Sequence, residues 1–217
     1  MTSELGLREL KKRQTRQRIT ETALRLFAER GFDNVRVAEI ARAAQVSEAT
    51  VFNYFTGKEA LIYEGMDAFE DALLDAVRER PTGTSTVRAF REFVLSSRGS
   101  LLEAEPIGVQ QIATAARIIH DSPALQAYEL RSVERYTRLL AELIATELNE
   151  QAPGPHDGEA YVVAHALMGV NRAMKDVVHA HAMAGHDAHR IVTDAAECGR
   201  RAMDLLERGL ICESASR

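Results

Sequence analysis

Residues 19–61 read ITETALRLFAERGFDNVRVAEIARAAQVSEATVFNYFTGKEAL, and their apolar spacing decides the fold. Ile19, Ala23, Leu26 and Phe27 recur at i, i+4, i+7 and i+8, which places them on one face of a helix. Gly31 stands where such a helix commonly ends, because glycine adopts the left-handed backbone that closes the last turn. Val37, Ile40, Ala41 and Ala44 repeat the spacing over barely two turns. Ser47 then precedes Glu48, Ala49 and Thr50, and its hydroxyl can cap a third short helix. Thr56-Gly57 breaks that helix and Lys58 opens a fourth. Three helices joined by a tight second-to-third turn form a helix-turn-helix, whose last helix lies in the DNA major groove.

Outward from this stretch the chain reads as helices throughout, with no alternating strand pattern. Helices are expected over Lys58–Arg80, Val87–Glu103, Ile107–His120, Pro123–Glu150, Gly158–Ala184 and Ala188–Leu210. The breaks fall at Pro81 to Thr86, Glu105-Pro106, Asp121-Ser122-Pro123, Pro153 to Gly158, and Gly185. The expected architecture is all-α with about nine helices. A DNA-binding head covers 1–57, and a larger helical body covers 58–217.

Composition narrows the function. The chain has 217 residues, 46% hydrophobic and 27% charged, which is globular and neither disordered nor repetitive. It lacks the long apolar run of a membrane span, and its start, MTSELGLRELKKRQ, lacks the apolar core of a secretory signal. Cys198 and Cys212 are the two cysteines. On one helix they would stand about 21 Å apart, beyond disulfide reach. A cytoplasmic location is the simplest expectation. The net charge of -5 argues against nucleic acid, but it is unevenly spread. The first 60 residues hold 11 Lys/Arg and 8 Asp/Glu; the remainder holds 16 and 24. Arg8, Lys11, Lys12, Arg13, Arg16 and Arg18 form a basic cluster that fits either a solvated face or a nucleic-acid arm.

In the helix-turn-helix, Val37, Ile40, Ala41, Val46, Val51 and Phe55 face the core, and small Ala43 and Ala44 allow close helix approach. Glu48, Ala49, Thr50, Asn53 and Tyr54 face outward. Asn suits adenine, and Ala or a Thr methyl suits the thymine methyl. The hydroxyls of Ser47, Thr50 and Tyr54, with Lys58, suit phosphates. Phe52 and Tyr54 fit packing as well as contact, and Glu48 fits a first-turn acid favoured by the helix dipole.

These residues resemble the DNA-binding head of tetracycline-repressor (TetR) type transcriptional regulators. The resemblance rests on Phe27 to Phe32, Val37 to Ser47 and Thr50 to Leu61, about a fifth of the chain. Three positions depart from the family pattern. Arg36 replaces the usual hydroxyl at the start of helix two, where Asn34 could take over capping. Gln45 replaces the turn glycine and must accept a left-handed backbone, and Phe52 replaces a tyrosine. The resemblance implies a ligand-responsive regulator, most simply a repressor. It would bind a palindromic double-stranded DNA operator as a homodimer and be released by a small molecule. A ligand would favour a state in which helix four moves the heads off their half-site spacing.

The resemblance also implies a helical ligand-binding and dimerisation body. Small residues of the last two helices (Ala160, Ala164, Ala166, Gly169, Ala173) and Ile191, Ala195, Cys198, Ala202, Leu205 and Leu206 fit a dimer seam there, or internal packing. Pocket candidates are Phe93, Gln111, Ala116, His120, Tyr128, His165, Met168 and Asn171, each also explicable as ordinary core or surface. Residues 114–142 weakly resemble the C-terminal domain of mycofactocin-linked regulators, some of which sense acyl-CoA-type ligands; a hydrophobic or acyl-CoA-like effector follows as one option. His179, His181, His186 and His189 are read as a solvated helix end, with no metal or cofactor expected. No Gly-rich phosphate loop or catalytic motif is present, so the chain is not expected to be an enzyme. The alternative is an architectural DNA binder that answers to no ligand.

Overall fold

The computed structural model describes residues 2–101 and 106–211. Within them all regular structure is helical: α1 (Thr2–Arg30), α2 (Val37–Ala43), α3 (Glu48–Tyr54), α4 (Ala60–Arg78), α5 (Thr86–Leu101), α6 (Pro106–Asp121), α7 (Pro123–Gln151), α8 (Asp157–Met183) and α9 (Ala188–Ile211). The expected all-α architecture is observed. Glu103 and Cys212 lie outside the described residues.

The helices belong to two compact units. One holds the residues up to Asp67 together with Thr114–Tyr128; the other holds Ala68–Ala113 and the residues from Glu129 on. The first unit therefore extends past residue 57 and takes in a second segment distant in sequence.

In the first unit the α1 stripe Ile19, Ala23 and Phe27 is fully buried against Ile40, Ala41 and Ala44 of α2 and its cap, and against Val51 and Phe55 at α3. Ile118, Ile119 and Leu125, from the end of α6 and the start of α7, complete the same core. The Phe27 and Phe32 rings meet at 5.0 Å. Tyr63 stacks on Tyr128 at 5.0 Å and donates its hydroxyl to the Leu125 carbonyl at 3.0 Å.

Local chemistry sets the helix ends. Gly31 has φ +81 and closes α1. Asn34 caps differently from expectation: its amide donates to the Arg30 carbonyl at 2.9 Å, so it serves the end of α1 and not the start of α2. The short Asn side chain reaches back one turn there. Arg36 is the N-cap of α2 and offers no acceptor side chain. Glu39 compensates, its carboxylate accepting from the Arg36 backbone N–H at 2.9 Å and from the Arg30 guanidinium at 2.7 Å.

The second unit buries Leu73, Val77, Phe90, Val94, Tyr136, Leu140, Leu167, Met174 and Met203 in one core. Polar ties sit at its edges. Glu147 accepts from the Thr86 backbone N–H at 2.8 Å and pairs with Arg80 at 3.2 Å. Tyr136 donates its hydroxyl to Asp71 at 2.8 Å.

α8 and α9 pack against each other across a four-residue connection, as antiparallel neighbours do. Ala160, Ala164 and Ala195 are buried inside the unit itself, whereas Gly169 is exposed. Gly199 is the point of closest approach: a Cβ there would fall on the sulfur of Met174 and 3.1 Å from a Leu95 methyl. Met174 is fully buried and has little room to yield. Gly199→Ala should therefore cost about 1–3 kcal/mol by overpacking. Urea unfolding checks this, and an unchanged midpoint would show that the crossing is loose.

Candidate nucleic-acid interface

The head presents α3 through a register that its buried residues impose. Val51 and Phe55 are buried, so Glu48, Ala49, Phe52 and Asn53 turn outward and are exposed. Phe52 is 54% exposed, which separates it from Tyr54, a half-buried residue packed on the head core. Tyr54 packs on the head core with part of its surface open, and Phe52 lies outside that core.

Two turns hold α3. In the α2–α3 turn Gln45 adopts φ +55, the left-handed conformation expected where glycine is missing. Ser47 caps α3 as expected, its hydroxyl oxygen accepting from the Thr50 backbone N–H at 3.0 Å. The Ser47 and Thr50 hydroxyls also share a 2.8 Å hydrogen bond. That bond uses one hydroxyl proton and leaves the other of the pair to donate elsewhere.

Past α3, Lys58 precedes α4 and turns back on the head. Its ammonium donates to the Phe32 carbonyl and lies 4.1 Å from the Phe32 ring centroid. Burial pulls the Lys58 pKa below its usual value, with the negative charges of Asp33, Glu59 and Glu39 pulling the other way. Lys58 thus ties the α3–α4 turn to the α1–α2 turn. Beside it, the Arg36 backbone N–H and then the Arg30 side chain hold the Glu39 carboxyl below the usual carboxylate value. The Arg36 and Gln45 side chains are exposed.

Sequence reading missed the length of α1, which runs from Thr2 and carries Arg16 to 5.5 Å from the Phe55 ring at the end of α3. The signal was available: residues 8–18 contain no glycine or proline and are rich in Arg, Lys and Gln, all good helix formers.

The pocket candidates are not gathered at either described cleft. In the first unit Ala116 is buried, His120 is exposed, and Tyr128 stacks on Tyr63 and donates to Asp67 at 3.1 Å. In the second unit Met168 and Asn171 are buried, Phe93 meets Phe69 at 5.3 Å, Gln111 is exposed, and exposed His165 meets the Tyr161 ring edge to face at 4.4 Å. A cleft of about 360 Å³ in the first unit is lined by Phe27, Gly31, Asn34, Thr114, Arg117 and Ser122 among others. One of about 370 Å³ in the second unit is lined by Arg78, Arg80, Thr84, Glu147 and Gln151 among others.

Of the four clustered histidines, His181 and His186 meet at 4.7 Å, and His181 lies 3.2 Å from Asp194. Among the described residues no group of three or more His, Cys, Asp or Glu is placed to hold a metal ion. Likewise no described helix is long and apolar enough to cross a membrane.

Comparison with known proteins agrees with this geometry. Residues 19–64 match the family profile "Bacterial regulatory proteins, tetR family", and residues 84–210 match "MftR C-terminal domain". The chain belongs to the tetR family. Among its relatives is the HTH-type transcriptional regulator TcmR of Streptomyces glaucescens, 32% identical over 142 residues, or 64% of this chain and 63% of TcmR. MftR of Mycobacterium tuberculosis is 30% identical over 134 residues, 60% of this chain and 64% of MftR. The matches thus span a little under two thirds of these relatives. The fold is also that of NalD, the secondary repressor of the MexAB-OprM multidrug efflux pump in Pseudomonas aeruginosa. The TM-score is 0.52 at 19% identity, covering 88% of this chain and 97% of NalD.

The Ser47 cap gives this tetR-family head a direct test. Ser47→Ala removes the acceptor for the Thr50 N–H and should destabilise the protein by about 1 kcal/mol. Chemical denaturation measures it, and Ser47→Asp, which restores an acceptor, should recover most of the loss.

Proposed function

We propose that the chain is a transcriptional regulator that binds a palindromic DNA operator as a homodimer, represses, and is released by a small molecule. The observation that carries this reading is the exposed face of α3, where Glu48, Ala49, Phe52 and Asn53 project from a helix fixed by a buried core. Asn53 is the residue suited to reading a base edge, and the Phe52 ring and Ala49 methyl suit a thymine methyl. Arg36 and the hydroxyl pair of Ser47 and Thr50 suit phosphates; Gln45 sets the turn. Lys58 holds the turn through Phe32, and the remaining ammonium protons suit a phosphate.

The homodimer reading draws support from α8 and α9. Val162, 68% exposed near the start of α8, and Leu205, 69% exposed near the end of α9, lie toward the same end of the hairpin. Apolar side chains so exposed on adjoining helices suit burial against a second copy. The effector is left at the level of class, hydrophobic or acyl-CoA-like. It can change DNA affinity only by binding the DNA-competent and incompetent states unequally.

Selection of bound fragments from genomic DNA, followed by footprinting, tests the whole reading. A palindromic footprint supports it, and only sequence-blind binding favours an architectural protein. Two substitutions sharpen the test. Asn53→Ala should relax preference at one base pair per half-site by about 1–3 kcal/mol, read from affinities for single-base operator variants. A uniform loss across sites would make Asn53 a backbone contact. Val162→Glu with Leu205→Glu should yield monomers in sedimentation velocity, and a dimer that persisted would place the seam elsewhere.

A further inference from the structure

The positive charge of the head does not reside in its helix-turn-helix. Residues 19–60 carry five Lys/Arg against six Asp/Glu, whereas residues 2–18 carry six against two. α3 itself contains one acid, Glu48, and no base. A surface meant for DNA, whose affinity comes largely from neutralising phosphates, thus has almost no net charge with which to attract it.

The missing charge lies on the first part of α1, and it is aimed. Arg8, Lys12 and Arg16 precede Ile19, Ala23 and Phe27 at spacings of four, four, three, four and four residues, so the six side chains form one continuous stripe along the helix. Its later half is the buried face that holds α2 and α3. Its earlier half is basic: Arg8 and Lys12 are exposed, and Arg16 rests on Phe55, the residue that ends α3. Lys11 is exposed and flanks the stripe. From Arg16 to Arg8 the helix advances about 12 Å beyond the head core. The direction in which α1 presents α2 and α3 is therefore also the direction in which its overhang presents cations.

We infer that this overhang is a second DNA-binding element, a rigid basic stripe that contacts the phosphate backbone flanking the operator and supplies most of the electrostatic affinity. The inference rests on the DNA-binding reading above and adds to it where the affinity comes from. Charge complementarity favours a polyanion, and continuity with the α3-bearing face favours the DNA that α3 engages. Because phosphate contacts carry no sequence information, removing them should weaken all duplexes alike.

The test compares the full-length wild-type chain with Arg8→Gln/Lys11→Gln/Lys12→Gln. Glutamine keeps the helix propensity, and the three side chains are exposed, so circular dichroism and Tm should be unchanged. Binding is measured by fluorescence anisotropy over a range of salt, on the duplex that wild type selects from a random library and on its scrambled sequence. The slope of log affinity against log salt should shrink by about 0.9 for each phosphate that is no longer neutralised, or about 3 per protomer. Affinity should fall on both duplexes by the same factor, at least about tenfold near 0.1 M salt. Arg25→Gln, on the opposite side of α1 and paired with Glu29, should leave the slope unchanged. An unchanged slope in the triple variant overturns the inference while leaving the operator reading standing. Should wild type then co-sediment with phosphatidylserine vesicles and the variant not, the stripe is a membrane contact. A wild type that selects no duplex overturns both readings.

Discussion

The structure of the head depends on one stripe of α1. α2 and α3 are each seven residues long, too short to persist as isolated helices, because so few hydrogen bonds follow the costly first turn. Their order comes from burying Ile40, Ala41, Val51 and Phe55 against Ile19, Ala23 and Phe27. The same burial fixes which side of α3 meets solvent. A shift of the α3 register by one residue would bury Phe52 in place of Val51 and turn the present core outward. The exposed face of α3 is thus a consequence of core packing, and its polar residues do not position themselves.

Around that core the turns are tied by side chains whose chemistry suits each place. Asn34 returns to the open carbonyls of α1, Glu39 to the open amide at α2, and Ser47 to the open amides of α3. Lys58 adds a cation between an aromatic ring and a carbonyl, which suits an ammonium that is partly desolvated. Gln45 carries the strain in this set: a left-handed backbone at a residue with a Cβ costs about 1–2 kcal/mol. The surrounding core must offset that strain, and it does so on both sides, with Ala44 buried and Val46 packed on the same cluster.

These observations show which features were legible beforehand. The Ser47 cap, the Gly31 stop and the left-handed Gln45 are local, decided within a few residues, and the sequence displays them directly. Helical periodicity gave the α8 and α9 boundaries for the same reason. Three features depended on contacts that no local pattern encodes. Ile118, Ile119 and Leu125 join the head core from more than fifty residues away. The tie of Lys58 to the Phe32 carbonyl joins two turns 26 residues apart in the chain. Asn34 and Glu39 both lie near the start of α2, and spacing alone could not say which would serve it. The pocket candidates are harder still, since Met168 as core and Met168 as lining look identical in sequence.

On the proposed DNA-binding reading, the division of charge within the head has a physical logic. Reading a base edge requires hydrogen-bond geometry held to a fraction of an ångström, which only a helix locked by a close-packed core provides. Attracting a phosphate chain requires cations in roughly the right place, because the Coulomb interaction falls off slowly and has no preferred angle. A near-neutral α3 joined to a basic overhang of α1 separates these demands. The overhang needs only to stay helical and charged, and can tolerate solvent on all sides. Placing the bases on α3 instead would crowd the Asn53 face with long, mobile side chains and strengthen binding to every sequence. On the proposed reading, keeping them on α1 would let the affinity for DNA as a polyanion vary without disturbing the α3 residues assigned to base edges.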